Sequence, residues 1–189
     1  MEISRPQGYS NYMKIKVGII FIVIAAVFVF LVFKGGYFKK SDGRPPTQQL
    51  ESATIIETIN GLELWDYQGN KFSLKDSPLT KQDKIVVHLW ASWCGPCVNE
   101  VPELVEYSKK KSDVKFVIVS LDDYKEDIEK FLKSFPEFNN KSYVQIWDTQ
   151  KSIANLLQAD RLPMSVLIDP ASDEPRIIKA VVNWKTINF

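Results

Sequence analysis

The chain has 189 residues, of which 45% are hydrophobic and 25% are charged, a composition that fits one globular domain with an appendage. Its formal charge of +1 is unevenly divided: residues 1–40 carry six Lys/Arg and one acidic residue, whereas residues 41–189 carry 18 Lys/Arg and 22 acidic residues. A basic leader on a mildly acidic body argues against a nucleic-acid-binding protein.

The first predicted element is a membrane-spanning helix over residues 17–33. This unbroken apolar run has 17 residues, at the lower limit of the about 17 to 25 that cross a bilayer core. Flanking lysines can extend toward the headgroups, and Tyr12 and Tyr37 suit the membrane interface. A cleaved signal peptide is the alternative, but the run exceeds the usual apolar region of about 7 to 15 residues and no small-x-small cleavage site follows it. We therefore expect an uncleaved signal-anchor.

The chain is predicted to have three parts. Residues 1–38 form an N-terminal cytoplasmic stub and the transmembrane anchor, residues 39–54 form a polar linker with no apolar period, and residues 55–189 form the folded domain. Basic residues flank the anchor on both sides, so the positive-inside rule does not determine its orientation.

The folded domain alternates short apolar runs with helical patterns. A hairpin is predicted over residues 63–74, with Gln68-Gly69-Asn70 at its turn. Five runs rich in Val, Ile and aromatic residues then predict buried strands, over residues 85–90, 114–121, 143–147, 165–169 and 177–182. Helical stripes between the strands begin at Val98, Ile128 and Ile153. This alternation predicts an α/β fold with a mostly parallel central sheet.

Polar residues and a proline mark the expected ends of the second and third helices. Asp123 followed by Glu126 is a capping-box pattern for the second helix, and Pro136 follows its end. Asp148 or Thr149 can cap the third helix.

The two cysteines of the chain, Cys94 and Cys97, both lie in the run Trp-Ala-Ser-Trp-Cys-Gly-Pro-Cys over residues 90–97. A Cys-x-x-Cys pair that follows a strand and opens a helix can form and reopen a disulfide, which is the chemistry of thiol–disulfide exchange. The alternatives are a static disulfide, which would add little stability over so short a loop, and half of a zinc site. We expect a redox-active disulfide, with no other cofactor and no metal.

The position of each cysteine on the helix predicts its role. At the helix N-terminus, the Cys94 thiolate would face the positive end of the dipole and unpaired N–H groups, so its pKa should lie below that of a free thiol. Cys97, one turn on, should be covered and should resolve the mixed disulfide that Cys94 forms. Gly95 removes side-chain bulk at the surface, and Pro96 enters the helix with a suitable φ and no unsatisfied N–H.

This motif resembles the active site of the thioredoxin superfamily, and residues 55–182 resemble its membrane-anchored TlpA/ResA-type branch. Besides the motif, the matching features are the hairpin, Glu100 and Pro102 after the second cysteine, residues 120–123, and Leu162-Pro163. The resemblance implies a thioredoxin-like domain, with a central mixed β-sheet flanked by helices. It also implies an N-terminal β-hairpin, an inserted helix–strand element and one preceding transmembrane helix.

The resemblance further implies roles for residues around the cysteines. The family's cis-proline, here Pro163, lies against the two cysteines, and the backbone of the preceding residue, Leu162, meets extended substrates. Trp93 is expected at the substrate-facing rim, with Trp90 in the core. Glu100 would be an acid or base that tunes the thiols; the alternative is an ordinary first-turn glutamate favoured by the helix dipole.

His88 is the single histidine of the chain and stands six residues before the first cysteine. Many thioredoxins have a buried acid at this position that helps to deprotonate the resolving cysteine, and a histidine there can relay protons near neutral pH. The alternative, which we favour, is a packed strand histidine with one satisfied hydrogen bond.

Two features depart from the family pattern. Met164-Ser165 replaces the Thr-Thr that often follows the cis-proline, and Arg161 stands where glycine is common, so the substrate preference is not predicted. After Val182 too few residues remain for the usual last helix, so one face of the sheet should be capped by another element or left exposed.

The predicted function is that of a membrane-anchored thiol–disulfide oxidoreductase. We expect it to reduce disulfides of exported proteins, because Gly-Pro between the cysteines resembles the reducing thioredoxins, near about −270 mV, more than oxidants near about −120 mV. By resemblance, apocytochrome c is a candidate target in cytochrome c maturation, and a membrane-embedded thiol partner supplies the electrons. A single pass through a bacterial cell membrane, with the catalytic domain on the periplasmic side, suits this chemistry because disulfides form in oxidising compartments.

Two other classes of protein share the fold. A peroxidase of the peroxiredoxin type would need a Thr-x-x-Cys site, which the sequence lacks. A copper-delivery module usually needs Cys-x-x-x-Cys with a downstream histidine, and neither is present. Turnover of peroxide would favour the first class, and copper binding unaffected by Cys97→Ser would favour the second.

Overall fold

A computed structural model describes residues 26–28, 30, 50–75 and 77–189. The chain divides into two compact units, residues 1–47 and 48–189. In the first unit, residues 26–28 and 30 are helical, and the rest of the predicted transmembrane helix lies outside the described residues. Within the described part of the chain, no helix is long and apolar enough to cross a membrane.

The second unit begins with a helix that the sequence analysis did not predict. Helix α1 (Ser52–Gly61) starts three residues inside the predicted linker and buries Ile55, Ile56 and Ile59. These isoleucines belong to one hydrophobic cluster with strand residues of the central sheet. The β-branched residues of α1 have low helix propensity, so the helix is stabilised mainly by burial of its isoleucines against the sheet.

The predicted hairpin is present. Strands β1 (Leu64–Trp65) and β2 (Lys71–Phe72) pair in antiparallel fashion. The Asp66 carboxylate accepts hydrogen bonds from the backbone N–H groups of Gln68 (2.9 Å) and Asn70 (2.8 Å). Gly69 has a φ of +83°, a conformation that glycine adopts without steric cost, and this closes the turn.

The central sheet has five strands in the order β5-β4-β3-β6-β7, which are β5 (Val144–Trp147), β4 (Val114–Ser120), β3 (Lys84–Trp90), β6 (Met164–Ile168) and β7 (Arg176–Ile178). The first three are parallel, whereas β6 is antiparallel to β3 and β7 is antiparallel to β6. The sheet is therefore mixed, as the resemblance implied.

Further helices and the alternation of side chains along β3 divide the core into two layers. These are α2 (Gly95–Lys110), α3 (Lys125–Ser134) with a 3₁₀ turn over Pro136–Phe138, and α4 (Ser152–Leu156). Val86 and Trp90 of β3 pack in the cluster that contains α2 and α3, whereas Val87 packs in the cluster that contains α1 and α4. Because side chains alternate along a strand, His88 lies on the α2 face.

Two predictions about helix caps have different outcomes. The capping box at Asp123 is wrong: α3 begins after Tyr124 with no side-chain cap, and the Asp123 carboxylate lies 3.4 Å from Lys151 Nζ. The N-cap residue of α4 is Lys151, which makes no side-chain cap bond; the carboxylate of Asp148, three residues earlier, instead accepts hydrogen bonds from the N–H groups of Ser152 (2.8 Å) and Ala154 (2.9 Å).

The C-terminal segment after β7 takes the place of a last helix. The predicted strand over residues 177–182 is shorter in the structure, where β7 ends at Ile178. Farther on, the N–H of Val182 donates to the Glu100 carboxylate. Val182 and Trp184 are both buried in the cluster on the α2 face. That face is therefore capped by non-helical chain, one of the two outcomes expected.

Candidate active site

The two cysteines lie where β3 leads into α2. Cys94 is the N-cap residue of α2, and its Sγ accepts a hydrogen bond from the N–H of Cys97 (3.3 Å). The cysteines are joined by a disulfide, with their Cα atoms 5.2 Å apart. Cys94 is 6% exposed and Cys97 is fully buried. Cys94 is therefore the sulfur that a partner molecule can reach.

The residues around the cysteines present both small and large groups to solvent. Gly95 and Pro96 are exposed, and a Cβ added at Gly95 would meet no heavy atom within 4 Å. Trp93, beside the first cysteine, is 68% exposed, whereas Trp90 is fully buried. An aromatic side chain held in solvent beside a reactive sulfur is suited to contact a polypeptide.

The peptide bond between Leu162 and Pro163 is cis, as the resemblance implied. Pro163 is buried and immediately precedes β6. Met164 lies opposite Leu89 in the antiparallel β3–β6 pair, so the proline lies at the edge of the sheet where β3 ends. The loop to the cysteines leaves from the same edge.

Asp122 holds the loop before the first cysteine, and the sequence analysis missed it. This fully buried carboxylate accepts hydrogen bonds from the Ser92 N–H (3.0 and 3.1 Å), from Ser92 Oγ (2.7 Å) and from Ser120 Oγ (2.7 Å). An acidic residue just after a buried strand parallel to β3 was the available signal, since parallel strands end at a common edge.

Glu100 and His88, which the sequence analysis treated separately, lie together in the structure. Glu100 Oε1 is 3.2 Å from His88 Nε2, and both side chains are buried. Glu100 Oε2 accepts a hydrogen bond from the Val182 N–H (3.0 Å), and His88 Nδ1 lies 2.9 Å from Ser165 Oγ. A buried polar chain therefore runs from α2 through β3 to β6.

Burial shifts the pKa values of this pair in opposite directions. It raises the pKa of Glu100 from 4.5 to about 7, against the lowering effect of the hydrogen bond from Val182. It lowers the pKa of His88 from 6.5 to about 3. At neutral pH an uncharged imidazole therefore lies beside a carboxyl group that is close to the midpoint of its titration.

The raised pKa of Glu100 makes its contribution to stability depend on pH. Between about 4.5 and 7 the folded state holds a proton that the unfolded state has lost, so this contribution falls as pH rises. In Glu100→Gln the free energy of unfolding, relative to wild type, should therefore rise by about 1.4 kcal/mol per pH unit in this window. Urea unfolding of the oxidised protein at several pH values measures it.

A matched control for this pH series is Glu57→Gln, which changes an exposed glutamate on α1. Its effect on the free energy of unfolding should not follow the same slope. A difference between Glu100→Gln and wild type that stays constant from pH 4.5 to 7 would contradict the raised pKa of Glu100.

Comparison with known proteins agrees with this geometry. The family model described as Redoxin matches residues 47–179. The chain is 26% identical over 125 residues to the thiol-disulfide oxidoreductase ResA of Bacillus subtilis (strain 168), an alignment that covers 65% of this chain and 64% of that protein. It is 25% identical over 138 residues to the ResA of Geobacillus kaustophilus (strain HTA426), covering 72% of this chain and 75% of the relative.

A solved structure shares the fold. It is that of a secreted Mycobacterium tuberculosis disulfide oxidoreductase homologous to E. coli DsbE, with a TM-score of 0.57 and 16% identity, covering 68% of this chain and 92% of that one. The predicted thioredoxin fold is confirmed, and the ResA relatives confirm the predicted resemblance and its enzyme class, thiol–disulfide oxidoreductase. By the match over residues 47–179, the chain belongs to the Redoxin family.

Proposed function

We propose that the chain is a membrane-anchored thiol–disulfide oxidoreductase that reduces disulfides in exported proteins. One observation carries the proposal: of the two residues of the disulfide at the start of α2, Cys94 is slightly exposed and Cys97 is fully buried. Cys94 can react with a protein disulfide, and the buried Cys97 can then attack the mixed disulfide that forms. The relatives named thiol-disulfide oxidoreductase support the same chemistry.

The proposed reaction starts from the reduced dithiol. The Cys94 thiolate attacks one sulfur of a substrate disulfide, and the other substrate sulfur leaves as a thiolate. Glu100 takes the proton of Cys97, whose thiolate attacks Cys94 Sγ and displaces the second substrate sulfur, which is then protonated. Two electrons pass to the substrate, and the Cys94–Cys97 disulfide, the redox group of the reaction, is left in the form that the structure contains.

The proposed contact surface for a substrate surrounds the exposed sulfur. Trp93 supplies an exposed aromatic face, and the backbone at Leu162, before the cis-proline, supplies polar groups for an extended chain. Gly95 and Pro96 leave the approach to Cys94 free of large side chains. A disulfide within an extended polypeptide therefore suits this surface.

The location and partners are part of the proposal. The apolar run over residues 17–33 supports a single-pass anchor, and the redox chemistry supports a catalytic domain on the periplasmic side of a bacterial membrane. A membrane-embedded thiol protein would re-reduce the disulfide after each turnover, since a reductant needs an electron source. Resemblance to the ResA-type branch supports apocytochrome c as a target.

The reduction potential of the Cys94–Cys97 pair tests the proposed direction. We expect a value at or below about −250 mV, because a reductant must hold its electrons less tightly than its substrates. The purified full chain in detergent would be equilibrated in glutathione or dithiothreitol buffers and its free thiols trapped with a maleimide. A value above about −150 mV would make the protein an oxidant and would overturn the proposed direction.

A further inference from the structure

The side chain of His88 is held between two polar groups in the core. Its Nε2 lies 3.2 Å from Glu100 Oε1 and its Nδ1 lies 2.9 Å from Ser165 Oγ. All three side chains are buried, and within the described part of the chain neither Nε2 nor Oε1 makes a hydrogen bond of regular geometry, although the two atoms lie 3.2 Å apart. Nδ1 is therefore hydrogen-bonded to Ser165, whereas Nε2 faces a carboxylate oxygen that also lacks a hydrogen bond.

A neutral imidazole has one donor and one acceptor nitrogen, so the neighbours decide which is which. An ionised carboxylate can only accept, and it therefore requires Nε2–H as a donor. Nδ1 is then the acceptor, and the Ser165 hydroxyl can donate to it. With these protonation states Nε2–H and Oε1, which lie 3.2 Å apart without a regular hydrogen bond, can satisfy each other after a small adjustment of either side chain, as buried polar groups require.

The second carboxylate oxygen of Glu100 has a hydrogen-bond donor from a different part of the fold. Glu100 Oε2 accepts a hydrogen bond from the backbone N–H of Val182 in the C-terminal segment. The Trp184 ring, with its centroid 6.1 Å from that of His88, meets the imidazole edge to face, and its side chain is a further hydrogen-bond donor toward Glu100. Each oxygen of Glu100 is therefore next to a group from outside α2 that can donate to it.

We propose that His88 is a positioning residue that stays uncharged and donates from Nε2 to ionised Glu100, so that Glu100 can act as the base for Cys97. Ser165 and the Val182 N–H complete the donor set. This inference rests on the proposed function, in which Glu100 takes the proton of Cys97. It differs from a proton relay, since His88 keeps its single ring proton throughout, in keeping with its lowered pKa.

The distance along α2 suits this role. Glu100 follows Cys97 by three residues, and side chains at this spacing lie on one helix face with about 5–6 Å between their Cβ atoms. The titratable groups near Glu100 are His88 from β3 and, on α2, Glu103 and Cys97; Glu103 is in turn paired with Lys185 of the C-terminal segment at 3.0 Å.

The test is a single-turnover reaction of the reduced full chain with 5,5′-dithiobis(2-nitrobenzoate). The first thionitrobenzoate released reports the attack by Cys94, and the second reports the attack by Cys97. In His88→Leu we expect the pH midpoint of the second phase to move up by about one unit or more, because the buried carboxylate has lost a donor. The first phase should keep its midpoint.

A conservative variant distinguishes two roles of His88, that of a hydrogen-bond donor and that of a proton relay. His88→Gln keeps an N–H group that can reach toward Glu100 but cannot pass a proton, so it should restore most of the wild-type midpoint. Failure of His88→Gln to restore it, with both proteins folded, would favour a relay. An unchanged second-phase midpoint in His88→Leu would overturn the inference.

Two further variants keep the inference testable if His88→Leu does not fold. Val182→Pro removes the N–H that donates to Glu100 Oε2, whereas Val182→Ala keeps it, so only the proline variant should raise the second-phase midpoint. Equal midpoints in the two variants would contradict the proposed donor set. If wild type releases no second thionitrobenzoate, the proposed dithiol function fails instead, independently of His88.

Discussion

Replacement of Cys97 by serine should abolish turnover and trap Cys94 in mixed disulfides with its substrates. A serine hydroxyl does not displace a thiolate from a disulfide, so the first attack proceeds and the second cannot. The adducts would be quenched with acid and N-ethylmaleimide, separated on non-reducing gels and identified by mass spectrometry. Turnover in an insulin-reduction assay should fall to the background rate.

The matched control for trapping is Cys94→Ser. It leaves only the fully buried Cys97 sulfur, which a protein disulfide cannot reach without opening the core. Few adducts are therefore expected with this variant. Equal amounts of adduct in Cys94→Ser and Cys97→Ser would contradict the assignment of Cys94 as the attacking residue and Cys97 as the resolving one.

Replacement of Asp122 by alanine should lower the free energy of unfolding by about 3 kcal/mol or more. The change leaves the Ser92 N–H, the Ser92 hydroxyl and the Ser120 hydroxyl without their shared acceptor in the core. Urea unfolding of the oxidised protein measures the loss. Since Ser92 belongs to the loop before the first cysteine, the rate of alkylation of Cys94 in the reduced protein should also change.

The neighbouring carboxylate provides the control for this variant. Asp123 is 76% exposed in its side chain and pairs with Lys151 at 3.4 Å. Asp123→Ala should therefore change the free energy of unfolding by no more than about 0.5 kcal/mol. If the two alanine variants lost similar stability, the hydrogen bonds of Asp122 would not be what holds the loop.

The sequence by itself determined the features that depend on near neighbours along the chain. Gln68-Gly69-Asn70 between two polar-apolar runs specified the hairpin, because a tight turn needs particular residues at adjacent positions. The apolar periods of β3 and α2 placed the cysteines at a strand–helix junction, since these periods repeat every two and every 3.6 residues. The role of the Asp148 carboxylate as an acceptor for the first N–H groups of α4 followed from the same local chemistry.

Only the tertiary structure decided which distant groups meet. His88 and Glu100 lie on different elements, and their contact depends on how α2 packs on β3. Asp122 reaches Ser92 because two parallel strands end at the same edge of the sheet. The N–H of Val182 meets Glu100 because non-helical chain covers that face. Such contacts form because buried polar groups need hydrogen-bond partners, and the partners come from distant parts of the chain. No local sequence pattern predicts them.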